Sequence, residues 1–310
     1  MNRNKLIQHI DLWIKRLGNA SKVAKRIGIS DATLSTIRAG KYGANDTEML
    51  TRIAIALEYK ETDWAVVRTI SNYRRIATVV QDAKEEKMWF AISNPAGSGK
   101  TGTLEDIYNQ DSTGSITFLQ AQEWTARQFI EELIRKTIGA SALKGSYKPI
   151  AELLQLIADY FNEQAFISPV LIIDEADKLR PAALRLLIPL FNKTEERLGV
   201  VISGTENLKK EIKAGVRLAK KGYDEIESRF GRTYISLYGA TQEEVKQICI
   251  ANCIISPQTQ EQIWEELETV KKMTPKNTNK GKIEVPVEYA EDFRRIKRLI
   301  KRELLKLKHI

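Results

Sequence analysis

Apolar positions in the first part of the chain recur every three to four residues. Leu6, Ile10, Trp13, Ile14 and Leu17 lie on one helical face, and Gly18-Asn19-Ala20 ends that helix. Ser21 is expected to cap the next helix. Val23, Ala24 and Ile27 then lead to Gly28, and Ile29, Leu34 and Ile37 follow at spacings that fit a second helix over 31–38. Small Ala24 lets two helices approach, and Gly28 permits the turn between them. Leu50, Ile53, Ala54 and Leu57 form another face; 62–80 continues helical, and 81–87 reads as a charged linker. From Met88 the pattern changes to short apolar runs separated by helical stretches. Strands are expected over 88–93, 115–119, 169–175, 199–203 and 234–237, with helices over 102–108, 125–138, 149–163 and 181–191 between them. This alternation predicts an α/β domain with a parallel sheet. After Thr241 the pattern turns helical again, over 243–253, 257–273 and from 287 onward, with a polar, basic loop at 274–283. The expected division is 1–85, all-α; 86–240, α/β; and 241–310, a helical, basic lid.

The candidate chemistry begins where the first strand ends. Asn94-Pro95-Ala96-Gly97-Ser98-Gly99-Lys100-Thr101-Gly102 joins a strand to a helix and has the order of a phosphate-binding P-loop. Its amides, with Gly102 and the positive end of the following helix, face a triphosphate. Lys100 reaches the β- and γ-phosphates, and Thr101 is an Mg²⁺ ligand. Asn94 stands where such loops usually open with glycine; asparagine tolerates a left-handed backbone, so the loop is expected to close. At the carboxyl end of the strand over 169–175 come Asp174, expected on Mg²⁺, and Glu175, expected to polarise the attacking water. Thr205, Glu206 and Asn207 follow the next strand, and any of them can touch a γ-phosphate or water; Thr205 can equally be a helix cap. Arg229 precedes the last strand and is the first choice to reach a neighbouring subunit's nucleotide, with Arg232 second.

Charge adds to this picture. The formal net charge of +9 over 310 residues favours a polyanionic partner. Lys209, Lys210, Lys213, Arg217, Lys220 and Lys221 form one basic stretch. Arg294, Arg295, Lys297, Arg298, Lys301, Arg302, Lys306 and Lys308 crowd the last helix. The helix over 31–38 exposes Asp31, Thr33, Ser35, Thr36 and Arg38, with few long donors for base edges, so weak sequence preference is expected. Arg38, Lys41, Tyr42 and Arg52 suit backbone contacts. Two cysteines, Cys249 and Cys253, are expected to pack as small apolar residues. His9 and His309, the only histidines, lie too far apart in sequence to suggest a shared site. No stretch is long and apolar enough for a membrane span or a signal peptide, which makes a cytoplasmic setting the expectation.

Taken together, the P-loop, the Asp174-Glu175 pair, Ser228-Arg229-Phe230 and the helical end resemble an AAA+ ATPase. Residues 32–46, from Ala32-Thr33-Leu34-Ser35-Thr36-Ile37-Arg38 through Lys41-Tyr42-Gly43-Ala44-Asn45-Asp46, are similar to the phage Mu transposition protein B family. That resemblance implies an N-terminal helix-turn-helix domain, an AAA+ core and a basic helical lid. It implies binding of ATP and Mg²⁺, polymerisation as a filament or ring on double-stranded DNA, and delivery of target DNA to a DDE transposase in a bacterial host cell. Gly97, Gly99, Lys100 and Thr101 would bind nucleotide, Asp174 the metal, and Glu175 would be catalytic. Many AAA+ lids carry an arginine near the start of the last helix; Glu291 stands there, with Arg294 and Arg295 just beyond. A helicase loader or replication initiator shares the same core and is the alternative. A repressor-like regulator whose ATPase serves only as a switch is a third class.

Overall fold

The structure is a computed structural model that describes residues 3–43, 46–57, 59, 64–278 and 281–308. Ala44, Asn45, Thr62 and His309 therefore lie outside the described residues. The chain divides into two compact units: one holds Met1–Trp64 with Asn109–Ser115, the other Ala65–Tyr108 with Ile116–Ile310.

Among its described residues the first unit has four helices: α1 (Arg3–Leu17), α2 (Ala20–Ile27), α3 (Asp31–Arg38) and α4 (Asp46–Ala56). Leu6, Ile10, Val23, Ala24, Leu34, Ile37 and Ile53 meet in its core. Gly28 closes α2 in the left-handed region at φ 78° and donates its N–H to Ala24 and Lys25 O, as the spacing predicts. Ser30 caps α3. The cap of α2 is Asn19, which accepts from Lys22 N, rather than Ser21, which bonds to Asp31 instead. Two expected phosphate contacts are already engaged within the unit. Arg38 pairs with Asp11 at 2.7 Å, and Arg52 donates to Gly28 O at 2.7 Å.

The second unit opens with α5 (Ser71–Glu86). It continues through β1 (Trp89–Ser93), α6 (Lys100–Gln110), β2 (Ile116–Gln120), α7 (Ala126–Thr137), α8 (Ile150–Glu163) and β3 (Val170–Asp174). Next come α9 (Pro181–Leu184), α10 (Leu187–Thr194), β4 (Gly199–Gly204), α11 (Glu206–Arg217), α12 (Tyr223–Arg229) and β5 (Tyr234–Ile235). The five strands form one parallel sheet in the order β2-β3-β4-β1-β5. Period-two alternation sends their apolar residues to both faces. Ala91, Leu171, Ile173, Val200 and Ile202 pack among α7 to α12. Ile92, Val170, Ile172 and Val201 pack against Ile76, Val79, Val80 and Ala83 of α5 and Leu104 of α6. This is the α/β fold expected, a parallel sheet covered by helices on both sides.

Three expectations are corrected here. Residues 64–67 have no regular structure and α5 begins only at Ser71. That helix covers the sheet, so the break falls near Trp64 and not at 85, and 81–86 is the end of α5, not a linker. The helix expected over 181–191 is two pieces, α9 and α10, parted by a turn at Arg185 and Leu186. The C-terminal part is not all helix. It contains α13 (Gln242–Ala251) and α14 (Pro257–Glu265), then the antiparallel hairpin β6 (Thr269–Thr278) with β7 (Gly281–Ala290), and α15 (Phe293–Lys308). Along β7 exposed Glu284, Pro286 and Glu288 alternate with more buried Val285, Val287 and Tyr289, the period of a strand. Of the two cysteines, Cys249 is buried and Cys253 exposed.

Candidate nucleotide site

β1 ends at Ser93 and α6 starts at Lys100, and the loop between them carries Gly97 at φ 89° and Gly99 at φ 85°. Both values belong to glycine, which has no Cβ to clash with the following carbonyl. Pro95 and Ala96 form the exposed crown of the loop, and Ser98 is buried. A Cβ on Gly97 would lie 2.4 Å from Asp292 Oδ1, because the start of α15 rests on this loop. Phe293 donates its N–H to Gly97 O at 2.8 Å, and its ring is 3.5 Å from where a Cβ on Gly99 would stand. Gly97→Ala is therefore expected to destabilise the unit by roughly 1–2 kcal/mol from the backbone alone, with more from the Asp292 clash; a chemical denaturation curve measures it.

Asn94 departs from expectation. It is not among the residues with positive φ, so its tolerance of a left-handed backbone is not what is used. Its buried amide instead donates to Ile235 O at 2.9 Å and accepts from Leu237 N at 2.8 Å. A glycine there would leave those backbone groups without these bonds.

Lys100 turns into the loop. Its ammonium donates to Asn94 O at 2.8 Å, Pro95 O at 2.9 Å and Ser98 Oγ at 2.9 Å. Burial pulls its pKa below the usual lysine value, against the pull of Asp174 and Asp177; the positive charge of Arg294 acts in the same direction as burial. Arg294 thus acts on the loop lysine from the start of α15, whereas Glu291, at the position where a lid arginine was sought, pairs with Lys272.

Thr101 donates its hydroxyl to Asp174 Oδ2 at 2.6 Å, so the end of β3 meets the first turn of α6. Asp174 is 1 % exposed, and burial raises its pKa, while the hydrogen bond from Thr101 and the nearby Ser203 hydroxyl and Glu175 N–H oppose the rise. Glu175 takes a left-handed backbone at φ 55°, which ends the strand sharply. Its Oε2 accepts from Gln120 Nε2 at 3.3 Å and Lys178 Nζ at 2.7 Å. Gln120, the last residue of β2, has no motif around it, so the sequence reading passed over it; only the pairing of β2 with β3 brings it to Glu175.

Beyond β4 the three candidates separate. Thr205 accepts from Asn207 N as the cap of α11, the second of its two expected roles, and its hydroxyl donates to Asp177 Oδ2 at 2.6 Å. Glu206 and Asn207 are exposed, and Glu206 pairs with Lys210. Arg229 lies with its guanidinium 4.4 Å from the Phe191 ring centroid and donates to Asn192 Oδ1 at 3.0 Å; its buried Nε has no partner among the described residues. Arg232 is committed to Asp224 and Glu227. Gly102 lies in the first turn of α6 with nothing within 4 Å of its would-be Cβ.

Among the described residues no group of three or more His, Cys, Asp or Glu side chains converges to hold a metal. Mg²⁺ does not require one. It binds through one or two protein oxygens, with water and phosphate completing the shell. The adjoining Thr101 Oγ1 and Asp174 Oδ2 are hard oxygen donors of that kind and fit it. No helix is long and apolar enough to cross a membrane among the described residues.

Residues 84–212 match the family model described as an AAA domain. Among solved structures, Cdc6p from Pyrobaculum aerophilum is similar over 62% of this chain and 52% of its own, at 17% identity and a TM-score of 0.44. The Aeropyrum pernix ORC2 protein in ADPNP–ADP complexes is similar over 66% of this chain and 58% of its own, at 12% identity and a TM-score of 0.44. The chain thus spans between 52% and 58% of the length of these two structures. The comparison with curated proteins gave no match. From the end of α5 into α11, then, the chain is similar to an AAA domain, and there the P-loop meets the end of β3 through Thr101 and Asp174.

Proposed function

We propose that this protein hydrolyses ATP, assembles head to tail on double-stranded DNA with little sequence preference, and presents that DNA to a DDE transposase. The observation that supports it most is the convergence of Lys100, Thr101, Asp174 and Glu175 at the carboxyl ends of β1 and β3. In this reading the loop amides and Lys100 bind the β- and γ-phosphates, and Thr205 senses the γ-phosphate beside Asp177. Bound Mg²⁺ would sit on Thr101 and Asp174 and neutralise phosphate charge. Glu175 accepts the proton of the attacking water. Arg229, at the end of α12, serves the nucleotide of the next subunit; such a residue raises turnover by roughly a thousandfold or more. A head-to-tail contact of this kind closes into a ring or runs on as a filament. The net charge of +9 suits a phosphate-lined partner held with strong salt dependence. The likeness of residues 32–46 to the phage Mu transposition protein B family supports the transposase as the recipient.

Gln120 and Lys178 both occupy the Glu175 oxygen that water must approach. Gln120→Ala is therefore expected to raise basal turnover about two- to tenfold, the worth of one hydrogen bond, with nucleotide affinity unchanged; steady-state hydrolysis and equilibrium binding check it.

Electron microscopy of the protein with random-sequence duplex, with and without a non-hydrolysable ATP analogue, tests the reading as a whole. Continuous coating that needs the analogue is expected. Protection of one defined operator would replace it with a repressor, and capture of a replicative helicase without coating would replace it with a loader.

A further inference from the structure

Two buried asparagines join the phosphate loop to the chain that leads into the C-terminal part. Asn72, near the start of α5, is 3 % exposed. Its Nδ2 donates to Ser98 O at 3.3 Å, and its Oδ1 accepts from Tyr238 N at 3.1 Å and Gly239 N at 3.2 Å. Asn94, at the other end of the loop, holds Ile235 O and Leu237 N. The two amides together bind four backbone groups of residues 235–239. β5 pairs with β1 only at Tyr234 and Ile235, so past that point these side chains stand where ladder bonds would continue.

From there the connection runs on without a gap. A Cβ on Gly239, at φ 109°, would come within 2.6 Å of Ala290 O. Ala240 and Ala290 exchange N–H···O bonds of 2.9 and 2.8 Å. Lys272 of β6 donates to Leu237 O and Tyr238 O. Ser71 donates its N–H and its hydroxyl to Glu244 in the first turn of α13. Two residues past Ala290, Asp292 and Phe293 return to Gly97. The circuit closes on the loop where it began.

We propose that Asn72 and Asn94 are positioning residues that couple occupancy of the phosphate loop to the placement of the C-terminal part. The proposal rests on the nucleotide reading above. A triphosphate draws Lys100 away from Asn94 O and Ser98 Oγ; the first belongs to Asn94 itself and the second to Ser98, whose carbonyl Asn72 holds. A planar amide fixes its donor and acceptor relative to each other, so a shift at either loop residue moves residues 235–239 with it. Neither asparagine side chain touches substrate in this account.

Hydrogen–deuterium exchange of the full chain, with and without an ATP analogue and Mg²⁺, tests it. Asn72→Asp is close in shape. It still accepts from Tyr238 and Gly239 but no longer donates to Ser98 O. In the parent, the analogue is expected to change exchange in the loop and also over 235–244 and 290–296. In Asn72→Asp the loop change should persist, with affinity within about tenfold of the parent, while the remote change is lost. Asn72→Ala, which removes the bonds to Ser98 O and to Tyr238 and Gly239 N together, should behave alike; it decides the matter if Asn72→Asp does not fold. A remote response at parental level in either folded variant overturns the proposal. So does a remote response that falls only in step with the loop response, since that would mark a purely structural role. If the parent shows no loop change at all, the nucleotide reading itself fails, and the proposal falls with it.

Discussion

Lys100→Ala should abolish ATP-dependent assembly on duplex DNA and lower ATP turnover by at least about a hundredfold, as loss of one preorganised charge on a reacting oxyanion does. The geometry makes this separable from unfolding. The Lys100 ammonium is buried and its pKa lies below the ordinary lysine value, so its charged form is an unfavourable contribution to folding. That contribution is fully present below the folded-state pKa. It is relieved as the pH rises from the folded-state value to the unfolded one. Three hydrogen bonds within the loop offset it, so truncating the side chain removes an unfavourable buried charge together with the bonds that offset it. The variant's thermal midpoint without nucleotide should therefore stay within about 3 °C of the parent. Normal assemblies from a folded Lys100→Ala protein would remove the loop lysine from its role.

Glu175→Gln should slow hydrolysis by roughly 10²- to 10⁴-fold, the usual worth of a positioned base, while ATP binding continues and DNA-bound assemblies persist longer. The exchange keeps side-chain length at a residue whose left-handed backbone, φ 55°, tolerates few replacements. It also keeps an acceptor for Gln120 and loses only the charge facing Lys178. Single-turnover hydrolysis, read beside equilibrium nucleotide binding, separates the two effects. Unchanged turnover would assign the base elsewhere.

What could be read from the sequence was what is local. A glycine-bearing loop between a strand and a helix needs only its own residues, so Gly97, Gly99, Lys100 and Thr101 could be placed from order alone. The run from Val170 to Ile173 is apolar on both faces, which marks a covered central strand before any partner is known. The boundary at 85 failed because the apolar face of α5 says that it packs, not which core it packs on. The hairpin over 269–290 was hidden by its lysines, threonines and prolines, which resemble a loop until the alternation in β7 is set against its partner strand. Asn94 was misjudged for a related reason. Its acceptor, Ile235 O, lies 141 residues away in the chain, and no spacing rule connects them.

Gly199 opens β4 directly under α5, and a methyl group there would stand 2.0 Å from Ala83 O. Backbone meets backbone at that point. The far end of the helix therefore lies closely against the sheet, with no room for a side chain between them. If a bound nucleotide shifts Asn72, residues 65–70, which precede the helix without regular structure, must follow it, and a proline or glycine scan there is expected to alter the nucleotide response over 235–244 with nucleotide affinity unchanged.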